Sequence, residues 1–349
     1  MELEHPIHGI HHITLVAGNA ARTARFYTQV LGMKFVKRTV NFDRPNTYHL
    51  YFGDDTGLPG TLVTFFEWPD APPARMGLGS VHHLALTVDS MEALLQWKTW
   101  LQHHHMLVAG PFDHQAYRSL VFTDPDGVIL EIATAGPGWQ ELREGNNFLP
   151  PSSGLAAETW PEPVTTISAS MRLGLLHHIA ALTADIDRTH DFYEDLLRMP
   201  RLHTTTDPDS HEAPRWYWST QAGNDAGRPG TVVIYTQPQS VDAPIRGQVG
   251  HGMTHHVAFG VQNDEALHFW RERLLKRGLK VTDVLDRKYF HSIYFRDPDN
   301  ILIEIATAEP GFLIDQPADR LGKDLMLPSW LEPERPKIEA SLPPMDVEY

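Results

Sequence analysis

One line of this chain is written twice. "FTDPDGVILEIATAGPG" begins at Phe122 and "FRDPDNILIEIATAEPG" at Phe295, each with one glutamate, Glu131 or Glu304, inside an apolar run. A carboxylate in a buried strand is costly unless something cationic or hydrogen-bonding faces it. The repeat also constrains the fold, because two copies of one pattern require two copies of one supersecondary unit. "VHHLALTV" from Val81 matches "THHVAFGV" from Thr254, and His83 to Glu131 spans 48 residues, as does His256 to Glu304. A finer repeat lies inside each half: "IHHITLVA" from Ile10 and "LHHIALTA" from Leu176 are followed at equal distance by "FYTQVLGM" and "FYEDLLRM", then by "LPGTLVTFF" and "RPGTVVIYT".

Four modules result, expected over residues 6–68, 80–138, 173–240 and 250–308, with a linker over 139–172 and a Pro-rich tail over 309–349 that wraps the surface. Each opens with a histidine-headed strand in which alternate residues share a face, so His12, Thr14 and Val16 point one way and Ile13 and Leu15 the other. An amphipathic helix follows, as in "NAARTARFYTQVLG", closed by Gly32, and "NDEALHFWRERLLKRG", opened near Asn263 and closed by Gly278. Three short strands complete the module, with "DPDG" and "DPDN" as hairpin turns in which Gly127 and Asn300 tolerate the left-handed conformation. The plan is βαβββ, an α+β fold.

Composition narrows the function. A net charge of −15 disfavours nucleic acid and anionic membrane surfaces, which reward basic patches. The start, "MELEHPIHGI", has no basic region followed by an apolar stretch, and no segment approaches bilayer-spanning length, so the expectation is a cytoplasmic protein. With no cysteine, any metal must be held by nitrogen and oxygen, and 21 histidines make such a site worth seeking. The run at His103 to His105 reads instead as a solvated helix end.

Paired "HH" strands, "FY" helices and "DPD" hairpins leading to a glutamate, repeated from residue 8 to about 310, resemble the vicinal oxygen chelate superfamily of glyoxalases, bleomycin-resistance proteins and extradiol ring-cleaving dioxygenases. The four-module form with "HGIHHITL" near its start is more specifically similar to hydroquinone ring-cleaving dioxygenases of the 2,6-dichlorohydroquinone 1,2-dioxygenase type. The resemblance implies two half-open mixed β-barrels, each made by two modules, with a divalent metal in the cavity. It also implies Fe(II), or Mn(II) in its place, with O2 as co-substrate and a small aromatic diol as substrate. Homo-oligomers are common among such proteins.

A lone histidine on a strand is ordinarily a satisfied structural residue. Two imidazoles and a carboxylate on adjoining strands are different, since they form the facial triad of non-haem Fe(II) oxygenases and leave positions open. Zn(II) lacks the redox chemistry that ring cleavage by O2 needs. The candidates exceed one site: His12, His83, His178 and His256 with Glu131 and Glu304. Pairing modules three and four would give His178, His256 and Glu304, as in catechol enzymes; pairing one and four gives His12, His256 and Glu304, which the hydroquinone resemblance implies. Thr14 beyond His12 suits a wet cavity, whereas Ala85 and Ala180 hold the matching places beyond His83 and His178. Arg287 and Tyr294 lie 17 and 10 residues before Glu304, where the positions before Glu131 hold His114 and Val121.

Modules one and four are therefore expected to carry the metal, on His12, His256 and Glu304. The resemblance places His11, Thr14, His255, Arg287 and Tyr294 around it. Tyr294 and His255 are candidates for proton transfer, Arg287 for stabilising negative charge, and Tyr289 and Phe290 for lining the ring pocket. Strict alternation would turn His11 and His255 away unless a bulge re-aims them. His83, His178 and Glu131 become a relic barrel or a second, non-catalytic metal site, with the relic favoured. A glyoxalase-type lyase or isomerase would need a fourth ligand where Thr64 and Ile234 stand.

Overall fold

The computed structural model describes residues 5–114, 116–134, 162–206, 213–220, 232–238 and 245–345. Most of the expected linker (139–161), the end of module two past 134, stretches 207–212, 221–231 and 239–240 of module three, 241–244 beyond it, and the last four residues of the tail lie outside the described residues.

The chain forms two compact units, one comprising the residues up to Ala74, Val249–Arg296 and those from Leu302 on, the other Arg75–Gln248 with Asp297–Ile301. In the first unit, β1 (Ile10–Ala17), β2 (Lys34–Asn41), β3 (Arg44–Gly53) and β4 (Leu62–Glu67) join β13 (Thr254–Val261), β14 (Leu285–Asp286), β15 (Phe290–Arg296) and β16 (Leu302–Pro310). The eight-stranded sheet runs β14-β15-β16-β13-β1-β4-β3-β2. Its centre is the antiparallel pair β1 and β13, flanked by parallel pairs β1 with β4 and β13 with β16. If the sheet were flat, β3 and β15, five strand spacings apart, would be separated by ~24 Å. Instead the ring of Tyr51 on β3 lies 6.4 Å from that of Tyr289, which adjoins β15. The sheet is curled into a half-barrel.

The second unit repeats the plan with β5 (Val81–Val88), β6 (Ala109–Asp113), β7 (Arg118–Thr123), β8 (Ile129–Thr134), β9 (Leu176–Leu182), β10 (Arg201–Thr206), β11 (Pro214–Ser219) and β12 (Val232–Thr236), ordered β10-β11-β12-β9-β5-β8-β7-β6. The fold is thus α+β, built from repeated βαβββ-like modules in two mixed sheets.

The helix expected over "NAARTARFYTQVLG" is not uniform. It is α-helical only over α1 (Ala20–Arg25), capped by the Asn19 side chain, and widens to a π-helical turn over Phe26–Val30 before Gly32 closes it at φ 65°. The reason lies in the "FY" pair: both neighbours are buried, Phe26 at 7% and Tyr27 at 0% exposure, and a wide turn lets two consecutive aromatics face one core. The same device recurs at Phe192 and Tyr193, after α2 (Met91–His103) and α3 (Ile186–His190), whereas α4 (Asp264–Lys276) is regular, with Asn263 as its cap and Gly278 at φ 81°. The His103 to His105 run ends α2 exposed to solvent. In the tail, Ile338 on α5 (Arg335–Ser341) joins Leu327 and Leu331 against Val40 of β2.

The "DPDN" turn carries a buried acid. Asp297 accepts from the Tyr235 hydroxyl at 2.6 Å and from the backbone N–H groups of Asp299 and Ile301. Burial nevertheless pushes its pKa from 3.8 up to about 7. A carboxyl that holds its proton more tightly folded than unfolded stabilises fully below the unfolded value, and that contribution is lost as pH rises through the folded one. Stability in urea is therefore expected to fall between pH ~4 and ~7, by up to about 4 kcal/mol from this group. Asp297→Asn, isosteric with the protonated acid, should flatten that slope; an unchanged slope would place the proton elsewhere.

Candidate metal centre

The first unit gathers His12 from β1 with His256 and Glu304 from β13 and β16, their ligand atoms all within 4.8 Å of one another. All three are buried, at 1%, 3% and 0% exposure. The His12 and His256 Nε2 atoms lie 3.3 Å apart and 3.3 and 2.9 Å from Glu304 Oε2. Donors sharing one ion at ~2.1 Å stand ~3.0 Å apart at right angles and ~3.4 Å apart at the tetrahedral angle. Neither Glu304 oxygen has a hydrogen bond of acceptable geometry among the described residues, despite those short distances. The lone pairs converge on a point between the side chains, as a divalent cation requires. Burial works to raise the Glu304 pKa, yet His12 and His256 hold the carboxylate well below its usual range.

Each "HH" pair serves this geometry through a bulge. Between Ile10 and His12 the register of β1 against β13 slips by one residue at His11, and between Thr14 and Leu15 it slips at His255. The bulge re-aims the first histidine of each pair, so that His11 Nδ1 meets His12 Nδ1 at 2.9 Å and His255 Nδ1 meets His256 Nδ1 at 2.8 Å. His11 Nε2 lies 3.1 Å from the Thr307 carbonyl, which can only accept. His11 therefore carries its hydrogen on Nε2, accepts at Nδ1 from His12, and leaves the His12 Nε2 lone pair bare. Burial, then His12, lowers the His11 pKa to about 3, so it stays neutral. His11→Leu should cost about 10–100-fold in metal affinity, as losses of ligand-orienting partners do, measured by competition with a chelator. Unchanged affinity would show that the His12 tautomer needs no such support.

Beside the triad lies a cavity of about 400 Å³. His12, His255, His256, Arg287, Phe290 and Tyr294 line it, together with His49, Tyr51 and Phe66. Tyr294 sets its ring edge-on to His256 at 5.7 Å, with the Arg287 guanidinium 5.2 Å above that ring. Arg287 also reaches Asp43 at 3.1 Å. Burial, then the Glu304 charge, raises the Tyr294 pKa far above the usual phenol value, so it remains a neutral donor. Burial lowers His255 to about 3, with His256 adding to the effect.

Other expected residues fall elsewhere. His11 stands behind His12, outside the cavity wall, and Thr14 is fully buried. Tyr289 does not line the ring pocket: it is fully buried, stacked on Phe312 at 4.8 Å with its hydroxyl on Asp315. Sequence reasoning missed His49 and Tyr51. They occupy alternate places on β3, a same-face polar pair that was the available signal, and begin a chain from Tyr51 Oη to His49 Nδ1 (2.9 Å), His49 Nε2 to Thr64 Oγ1 (3.1 Å) and Thr64 to Thr14 (2.7 Å). The catechol-type set is not assembled, because His178 lies with His83 and Glu131.

Comparison with known proteins agrees with this architecture. The model of the glyoxalase/bleomycin resistance protein/dioxygenase superfamily matches residues 9–132 and 175–305, and the chain belongs to that superfamily. It is 34% identical over 340 residues to MhqO of Bacillus subtilis (strain 168), provisionally named a ring-cleaving dioxygenase, covering 97% of each chain. It is 28% identical over 345 residues to the chlorohydroquinone/hydroquinone 1,2-dioxygenase of Sphingobium indicum, covering 95% of each. A crystal structure of a provisionally assigned dioxygenase from Bacillus subtilis superposes with a TM-score of 0.80 at 33% identity, covering 98% of this chain and 99% of that one. Among the described residues no helix is long and apolar enough to cross a membrane.

Proposed function

We propose that this protein is a ring-cleaving dioxygenase that inserts O2 into a hydroquinone-type aromatic diol, with Fe(II), or Mn(II) in its place, held by His12, His256 and Glu304. One observation carries the reading: a buried two-imidazole, one-carboxylate triad opens on a cavity sized for a small aromatic ring and walled by aromatic side chains. The activities for which these relatives are named agree with it. When bound, such an ion supplies open coordination positions and a redox-capable centre for a diol and oxygen.

The residues of the chain do the rest. Phe66 and Phe290 offer flat faces to a ring and keep water from it. Arg287 stays charged and can neutralise a phenolate oxygen, while Tyr294, held neutral, can donate to an oxygen that gains charge. With His256 Nε2 given to the ion, its Nδ1 hydrogen would go to His255 Nδ1 at 2.8 Å, leaving the His255 hydrogen on Nε2 for donation. The Tyr51 to Thr14 chain fixes the His49 ring in the cavity lining. Tyr294→Phe should lower kcat by 10²–10⁴-fold with KM little changed, the pattern of a donor used in the transition state; a rise in KM alone would demote Tyr294 to packing.

A glyoxalase-type reaction fits less well. The place of its fourth ligand is held by Thr64, whose hydroxyl is engaged with Thr14 and His49. Anaerobic reconstitution with Fe(II), followed by oxygen uptake on a panel of hydroquinones and catechols, tests the proposal. Hydroquinones should give the higher kcat/KM; turnover without oxygen in the presence of Ni(II) or Zn(II) would instead establish an isomerase or lyase.

A further inference from the structure

The second unit contains another triad. His83 on β5, Glu131 on β8 and His178 on β9 place their ligand atoms within 4.8 Å of one another, and none of the three is assigned above to the reaction. The distances match those of the first centre: 3.1 Å between the His83 and His178 Nε2 atoms, and 3.2 and 3.4 Å from these to Glu131 Oε2. These lie in the ~3.0–3.4 Å range for donors sharing one ion. A barrel decaying after duplication has no reason to hold that convergence. Glu131 is 4% exposed, and its Oε1 is buried with no hydrogen-bond partner among the described residues.

The supporting geometry is repeated as well. The register slips at His82 and at His177, and the bulged histidines set Nδ1 against the Nδ1 of His83 at 2.9 Å and of His178 at 2.7 Å. Both ligand imidazoles are thus turned Nε2-first toward the carboxylate, the orientation metal binding requires. What differs is the surroundings. Where the first centre has Arg287 and Tyr294, this one has His114 and Val121. His114 Nε2 sits 3.7 Å from Glu131 Oε1 and 2.9 Å from Ser119 Oγ, placing a third imidazole beside the triad. Ala85, Ala180 and Ile234 pack around it where the first centre has polar groups on Thr14 and Thr64.

We propose that His83, Glu131 and His178 form a second divalent transition-metal site that holds its ion without the guanidinium and phenol that ring cleavage uses. This replaces the relic reading favoured by sequence alone, and it holds whether or not the first centre is a dioxygenase. Two imidazoles and a carboxylate suit a borderline divalent ion such as Zn(II) or Co(II).

The probe is Co(II), added without air to the metal-stripped full-length protein. Visible absorbance should rise to two equivalents per chain, with elemental analysis giving two ions after desalting. Glu131→Gln and Glu304→Gln should each bind one ion, and the double variant none. Saturation of the wild-type chain at one equivalent, with Glu131→Gln unchanged and Glu304→Gln empty, would overturn the proposal. If Glu131→Gln fails to fold, Glu304→Gln decides alone: one ion retained supports the second site, and none overturns it.

Discussion

Glu304→Gln is expected to give a folded protein that shows no measurable oxygen uptake on any hydroquinone. The substitution preserves volume and removes only the charge, which faces His12 and His256 at 3.3 and 2.9 Å and has no hydrogen bond to lose. A neutral amide is a poor ligand for a divalent cation, so the first centre should bind its ion far more weakly. The metal-free chain should lose some stability at neutral pH, because His12 and His256 hold the carboxylate ionised well below its usual range and the amide forgoes that attraction. His12→Ala and His256→Ala should abolish turnover in the same way, each removing one nitrogen of the triad. His178→Ala is the discriminating control: it belongs to the other cluster and should leave oxygen uptake intact. Loss of activity with His178→Ala and retention with His12→Ala would sink the assignment and move the chemistry to a catechol-type ligand set.

Lys37→Ala should destabilise the chain by about 3–5 kcal/mol, the range for removing one partner of a buried charged pair. Lys37 on β2 is 0% exposed, yet its Nζ donates to Asp315 at 2.7 Å, Gln316 Oε1 at 2.8 Å and the Phe312 carbonyl at 3.2 Å. The ammonium also lies 4.9 Å from the Tyr289 ring centroid. One cation thus ties the segment after β16 to the far edge of the sheet. Truncation would leave two acceptors buried without a donor and empty the volume of the stem. Lys288, 2.5 Å from Asp315 Oδ2, would partly compensate the carboxylate. Lys37→Met, which refills the volume and leaves only the polar debt, should cost less than the alanine variant. Chemical denaturation followed by tryptophan fluorescence measures both; a loss below ~1 kcal/mol for Lys37→Ala would mean that water or Lys288 takes over the whole network.

Much of the fold was legible in the repeats. The histidine-headed strands, the Asn263-capped helix and the "DPDG" and "DPDN" turns appear where local chemistry places them, with Gly127 at φ 89° and Asn300 at φ 79°. The "FY" pair was legible as buried but not as a π-helical turn, since that widening answers to a core contributed by other strands, such as Phe52 and Phe65 around Tyr27. His11 illustrates the limit more sharply. Alternation turned it outward, and only the partner strand's register makes it the bulged residue that steadies His12. His49 and Tyr51 share a face of β3, but only the curl of the sheet makes that face part of the cavity lining.

By itself the sequence determined the module, its fourfold repetition and the supply of imidazoles and carboxylates, because turns, caps and alternating strands depend on neighbours a few residues away. Only the tertiary structure decided which module joins which, pairing β1 with β13 and β5 with β9 across 244 and 95 residues of chain between the partnered histidines. Strand pairing is a long-range choice made by the burial of whole faces, and equivalent strands written four times over offer no local preference among their possible partners.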